Sequence, residues 1–173
     1  MGAGRPLKFK TVKEIRNIKK DGEVFFIGDK LLFNDFHNEK QLVNLICDNL
    51  EDFTKRYLCD VVVEYSVEKP IKPQLRLSPR GRRVDIFIKG KEKNYIIEVK
   101  NAKNTTEIRS AIGQLLDYGR EYLDPKKELI LIANMFDINT AKTIQYYKLP
   151  IRYLIINKRQ LLEFYGTEEE ISR

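Results

Sequence analysis

The chain has 173 residues, with 32 Lys+Arg against 25 Asp+Glu and a formal net charge of +7. That length predicts one domain whose core needs neither disulfides nor structural metal, and the basic balance favours a polyanionic partner. Two cysteines without CxxC spacing, a single histidine and no apolar run near ~18 residues exclude a zinc module, a His-pair site and a membrane-spanning helix, and fit a protein of the reducing cytoplasm.

The predicted elements begin with a lopsided arm. Arg5, Lys8, Lys10, Lys13, Arg16, Lys19 and Lys20 face only Glu14 in the first twenty residues. Short apolar runs at 23–27 and 31–33 flank Gly28-Asp29 and read as a hairpin. Residues 1–36 are therefore expected to be a basic arm plus hairpin attached to a main domain over 37–173. Residues 38–53 read as a helix, with Leu42, Leu45, Ile46, Leu50 and Phe53 at helical spacing, Asn38 as N-cap and Glu39 in the first turn. Residues 61–68 read as a strand that puts Val61, Val63, Tyr65 and Val67 on one face.

A basic loop follows, with Lys69, Lys72, Arg76, Arg80, Arg82 and Arg83 and no acid. Strands are expected at 84–88 and 95–100, a helix at 105–122, a buried strand at 129–133, a helix at 138–147 and a strand at 151–156. Asn157 and Gly166 predict a last helix ending at Tyr165. Tyr146, Tyr147, Tyr153 and Tyr165 are assigned to the core in preference to base stacking, and Cys47 and Cys59 are read as buried thiols. The order predicts an α/β protein, a mixed central sheet flanked by helices.

The chemistry concentrates in residues 83–100. Alternation puts Glu98 and Lys100 on one strand face and Tyr95, Ile97 and Val99 on the other. If the hairpin turns at Lys91-Glu92, Ile88 faces Tyr95, Ile86 faces Ile97, and Asp85 faces Glu98. Opposed residues have Cβ atoms about 4.5–5.5 Å apart. Two carboxylates that close need a positive charge between them, and an oxygen-liganded divalent cation fits the gap, with Lys100 beside it. A surface hairpin carrying these residues as an exposed ion-pair ladder fits the same pattern.

Asp85, twelve intervening residues and Glu98-Val99-Lys100 resemble the core of the PD-(D/E)XK nuclease superfamily, with Val84 in place of the Pro. Gln114 and Tyr118, helical i, i+4 neighbours, are similar to the QxxxY motif of several branches. The helix from Glu39 to Glu51 resembles the opening helix of NucS-type nuclease domains. The resemblance implies a restriction-endonuclease-like core and a metal-dependent deoxyribonuclease, an endonuclease in preference to an exonuclease, acting on DNA as a possible homodimer. It further implies that Asp85, Glu98 and the Val99 carbonyl hold Mg2+ or Mn2+, that Glu39 serves a second metal or its waters, and that Lys100 assists the attacking water. Gln114 and Tyr118 would position the cluster or the substrate. Arg80, Arg82 and Arg83, before the site, and Lys103, just after it, are candidates for gripping phosphates, with a solvated loop as the alternative for the arginines. A catalytically inactive nucleic-acid-binding module of the same fold is the competing function.

Overall fold

The runs Asn94–Lys100 (β6), Lys127–Ala133 (β7) and Ile151–Ile156 (β9) are rich in Ile, Leu and Val and are apolar on both faces, as strands covered on both sides must be. In the computed structural model, which describes residues 7–9, 24–27, 30–33, 36–71, 82–156 and 161–164, these three strands are parallel neighbours at the centre of a sheet. Antiparallel β5 (Arg82–Gly90) and β4 (Val62–Ile71) extend it on one side. On the other, β10 (Leu161–Phe164) pairs antiparallel with β9, and β1 (Leu7–Phe9) runs parallel to β10. The order of this seven-stranded sheet is β1-β10-β9-β7-β6-β5-β4. The hairpin β2 (Val24–Ile27) and β3 (Lys30–Phe33) forms a second sheet with β8 (Met135–Asp137), a strand that sequence periodicity did not predict.

Two apolar layers sandwich the large sheet. Helices α1 (Glu39–Asp48) and α2 (Leu50–Tyr57) bury Leu42, Ile46, Leu50, Phe53 and Tyr57 against Ile86, Ile88, Tyr95, Ile97, Val99, Ile130 and Ile132. Helices α3 (Thr105–Glu121) and α4 (Ile138–Tyr147) bury Ile108, Ala111, Leu115, Ala141 and Ile144 against Phe87, Ile96, Leu129, Leu131 and Tyr153. Each large apolar side chain so buried contributes about 1.5–3 kcal/mol. This is the α/β arrangement expected from the sequence, a mixed sheet flanked by helices.

Several expectations need correction. The single helix over 38–53 is two, because Asn49 leaves helical geometry (φ −120°, ψ 23°) while its side-chain Nδ2 donates to the Leu45 carbonyl. The last helix is strand β10 over its described residues, since the free edge of β9 offers ladder hydrogen bonds that override a short helix signal. Asn157, Tyr165 and Gly166 lie outside the described residues. Tyr146 and Tyr147 are not in the core but exposed near the end of α4, whereas Tyr153 is fully buried. Its hydroxyl donates to the Met135 carbonyl and accepts from the Asp137 amide. Cys59 is an exposed thiol. The Val61, Val63, Tyr65 and Val67 face of β4 is turned to solvent.

The turn between β5 and β6 is held from below. Asp60 is buried, and its carboxylate accepts from the amides of Val61, Glu92 and Lys93 and from the Tyr95 hydroxyl at 2.7–3.2 Å. This clamp fixes the register: Ile88 pairs with Tyr95 and Ile86 with Ile97, as the turn at Lys91-Glu92 required.

Candidate active site

Ile96 packs in the α3 layer and Ile97 and Val99 in the α1 layer, so strand alternation assigns Glu98 and Lys100 to the α3 side. The β5–β6 ladder runs from Lys89↔Asn94 to Ile86↔Ile97 and stops. At the next step the Val99 amide donates to Asp85 Oδ2 at 2.8 Å, a carboxylate standing where a strand carbonyl would be. Alternation in β5 breaks there too, because Val84 joins the cluster of Phe87 instead of that of Ile86. The strands part at Asp85, and the opening is filled by charged groups.

Lys100 Nζ lies 3.4 Å from Glu98 Oε1, with the two side chains 17% and 5% exposed. The other Glu98 oxygen, Oε2, is buried with no N–H or hydroxyl donor, and the Glu98 and Asp85 carboxyls lie close enough to share a proton. Burial, then the neighbouring Asp85 charge, pushes the Glu98 carboxyl up to about 8, against the pull of Lys100. Burial also raises Asp85, opposed by the Val99 amide and Lys100. A carboxyl that rises this far is short of positive charge.

Glu39, in the first turn of α1, sits at the rim of this cluster. Desolvation on its protein side raises its carboxyl; Lys100 opposes this, Asp85 and Glu107 add to it, and the nearby Asn101 backbone amide opposes it. Gln114 and Tyr118 turn inward from α3: Gln114 is half-buried with Oε1 unpartnered, and Tyr118 is buried with its hydroxyl donating to the Arg83 carbonyl at 3.0 Å. Tyr118 thus fixes the backbone two residues before Asp85. Val99 contributes its amide to Asp85. Arg83 and Lys103 are exposed; Arg80 and the Arg82 side chain lie outside the described residues. Among the described residues, no three His, Cys, Asp or Glu side chains converge as a ready metal-binding group.

Two residues escaped the sequence reading. Glu68 lies between the pairs Val67↔Ile86 and Lys69↔Val84, opposite Asp85 across β4–β5, and its charge pushes the Asp85 carboxyl up. It has φ 53°, a left-handed conformation unusual for a non-glycine residue inside a strand. Only the β4–β5 register could have found it, and a connection as long as 72–81, with Pro73, Pro79 and Gly81 spread along it, does not set that register from sequence. Asn101 donates Nδ2 to the Phe36 carbonyl at 3.1 Å and keeps Oδ1 buried and unpartnered. Nothing in its sequence context distinguishes it from an ordinary strand-end asparagine.

No protein-family model matches this chain, and no curated protein matches it in sequence. Among solved structures, the small subunit of the heterodimeric restriction endonuclease R.BspD6I is similar, with a TM-score of 0.40 and 11% identity. The match covers 69% of this chain and 61% of that one.

Proposed function

We propose that the chain is a divalent-metal-dependent deoxyribonuclease, with Asp85 and Glu98 as the metal-holding pair and Lys100 serving the attacking water. The observation that carries this reading is the close buried pair Glu98 and Asp85, near enough to share a proton and with no other donor for Glu98 Oε2, at the point where β5 and β6 separate. Such an oxygen costs about 1–3 kcal/mol unless a donor or a cation satisfies it. Hard oxygen donors of this kind suit Mg2+ or Mn2+, so the residues fit the group that the Asp85…Glu98-Val99-Lys100 resemblance implies.

When bound, the metal supplies Lewis-acid stabilisation of phosphate charge and a more acidic water. The remaining work falls to the chain. Glu98, freed of its proton, and Asp85, oriented by the Val99 amide, present two carboxylates to one point. Lys100 is held beside them by Glu98 Oε1, where its amine orients the incoming water and offsets charge on the scissile phosphate. Glu39 adds a third acid from the α1 side, while Gln114 and the Tyr118–Arg83 bond support the cluster from α3. Arg83 and Lys103 are exposed beside the site and available to phosphates. Endonucleolytic cleavage is favoured.

The competing reading, a binding module without turnover, gains from the absence of three converging ligand side chains among the described residues. A panel of single-stranded, duplex, circular and flapped DNA with Mg2+, Mn2+ or chelator separates the two. Metal-dependent cleavage that Asp85→Asn abolishes supports the nuclease, and cleavage of circular DNA marks an endonuclease. Binding without cleavage under every metal condition refutes it.

A further inference from the structure

We propose that Asn101 is a positioning residue of this site: it ties the start of α1 to the end of β6 and so holds Glu39 against the Asp85/Glu98/Lys100 cluster. The inference rests on the nuclease reading and deepens it. The start of α1 is shaped by its own cap. Asn38 Oδ1 accepts from the Gln41 amide at 3.0 Å, and Gln41 Oε1 accepts from the His37 amide at 2.9 Å. These bonds are local, so they define the helix end without placing it relative to the sheet.

Asn101 supplies the placement with two groups. Its Nδ2 donates to the carbonyl of Phe36, three residues before Glu39, and its backbone amide lies near enough to the Glu39 carboxylate to favour the charged form. The base from which it reaches is itself fixed. The Asn134 amide donates to the Lys100 carbonyl at 3.2 Å, and the Asn134 side chain bonds both the amide and the carbonyl of Ala102. Both backbone neighbours of Asn101 are therefore pinned to Asn134, just past the end of β7.

The two asparagines differ in how they use their amides. Asn134 satisfies its donor and its acceptor on one residue, as a structural asparagine does. Asn101 commits its donor to Phe36 and leaves Oδ1 buried with no donor, next in sequence to Lys100. Aspartate at this position cannot donate to the Phe36 carbonyl when ionised, and glutamine is one methylene too long.

The test is a cycle of Asn101→Ala, Glu39→Ala and the double variant, with Asn101→Asp beside them. Mn2+ binding is read by electron paramagnetic resonance, and hydrogen exchange is read across α1 and β7. Asn101→Ala should weaken Mn2+ binding by tenfold or more, in the range of 10–100-fold typical of residues that support metal ligands. Glu39→Ala should do about the same, and the double variant should be no worse than Glu39→Ala alone. Asn101→Asp should also weaken it. Exchange should quicken in the first turn of α1 and stay parental in β7, which separates a lost tie from a lost fold. Fully additive losses, or Asn101→Ala with parental Mn2+ affinity, overturn the proposal and leave the nuclease reading standing. A parent that binds no Mn2+ overturns both.

Discussion

Glu98 makes the metal-free protein lose stability as pH rises from acid to about 8, in a way that can be measured without any substrate. Its carboxyl rises from 4.5 to about 8 in the folded chain, through burial first and Asp85 second. The folded state therefore holds this proton more tightly than the unfolded state. Stability is highest below the unfolded value, falls as pH climbs from about 4.5, and levels off above about 8. At about 1.4 kcal/mol per pH unit, the gap corresponds to on the order of 5 kcal/mol. That is a large part of the roughly 5–15 kcal/mol of a typical domain. Asp85 is shifted the same way and adds to the trend. Urea unfolding in chelator at pH 5 and pH 8.5 should show the midpoint falling steeply for the parent and far less for Glu98→Gln. The variant should be the more stable protein at pH 8.5. Millimolar Mg2+ should restore the parent at pH 8.5 and do little for the variant. A parental midpoint that is level or rising between pH 5 and 8.5 in chelator would mean that Glu98 is not a buried carboxyl short of positive charge, and the metal argument would fall with it.

Three other outcomes are expected. Lys100→Ala should slow DNA cleavage by about two orders of magnitude or more while leaving Mn2+ affinity and DNA binding near parental, and single-turnover kinetics check this. Gly90→Ala should destabilise the fold by about 1–3 kcal/mol in thermal or urea melts, because its Cβ would lie 2.4 Å from Asp60 Oδ2 and 2.6 Å from the Lys93 carbonyl, both held in the turn clamp. Neutralising Lys13, Arg16, Lys19 and Lys20 should flatten the salt dependence of DNA binding measured by fluorescence anisotropy, with an unchanged slope showing that the arm does not touch phosphates. Substitution is preferable to truncation there, because removing the arm also removes β1 from the sheet edge.

Whatever depends on neighbours along the chain could be read from residue order alone. Apolar spacing located α3, α4, β6, β7 and β9 to within a few residues, because a helix or strand buries one face at a fixed period. The Asp85–Glu98–Lys100 grouping was legible for the same reason: one tight turn sets the β5–β6 register, and the register sets which side chains meet. Whatever depends on partners distant in sequence emerged only in the packed fold. Residues 161–164 became a strand because β9 had a free edge, and Met135–Asp137 because β3 lay alongside, neither of which a local window contains. Tyr146 and Tyr147 belong to an apolar-looking stretch, yet α4 packs through Ile138, Ala141 and Ile144 and turns the tyrosines outward. At the site, Glu68 meets Asp85 only through the β4–β5 ladder, and Asn101 reaches Phe36 across 65 residues of chain. Periodicity reports which face of an element is buried; which element covers it, and which polar atoms are thereby left without partners, is settled only when the layers close.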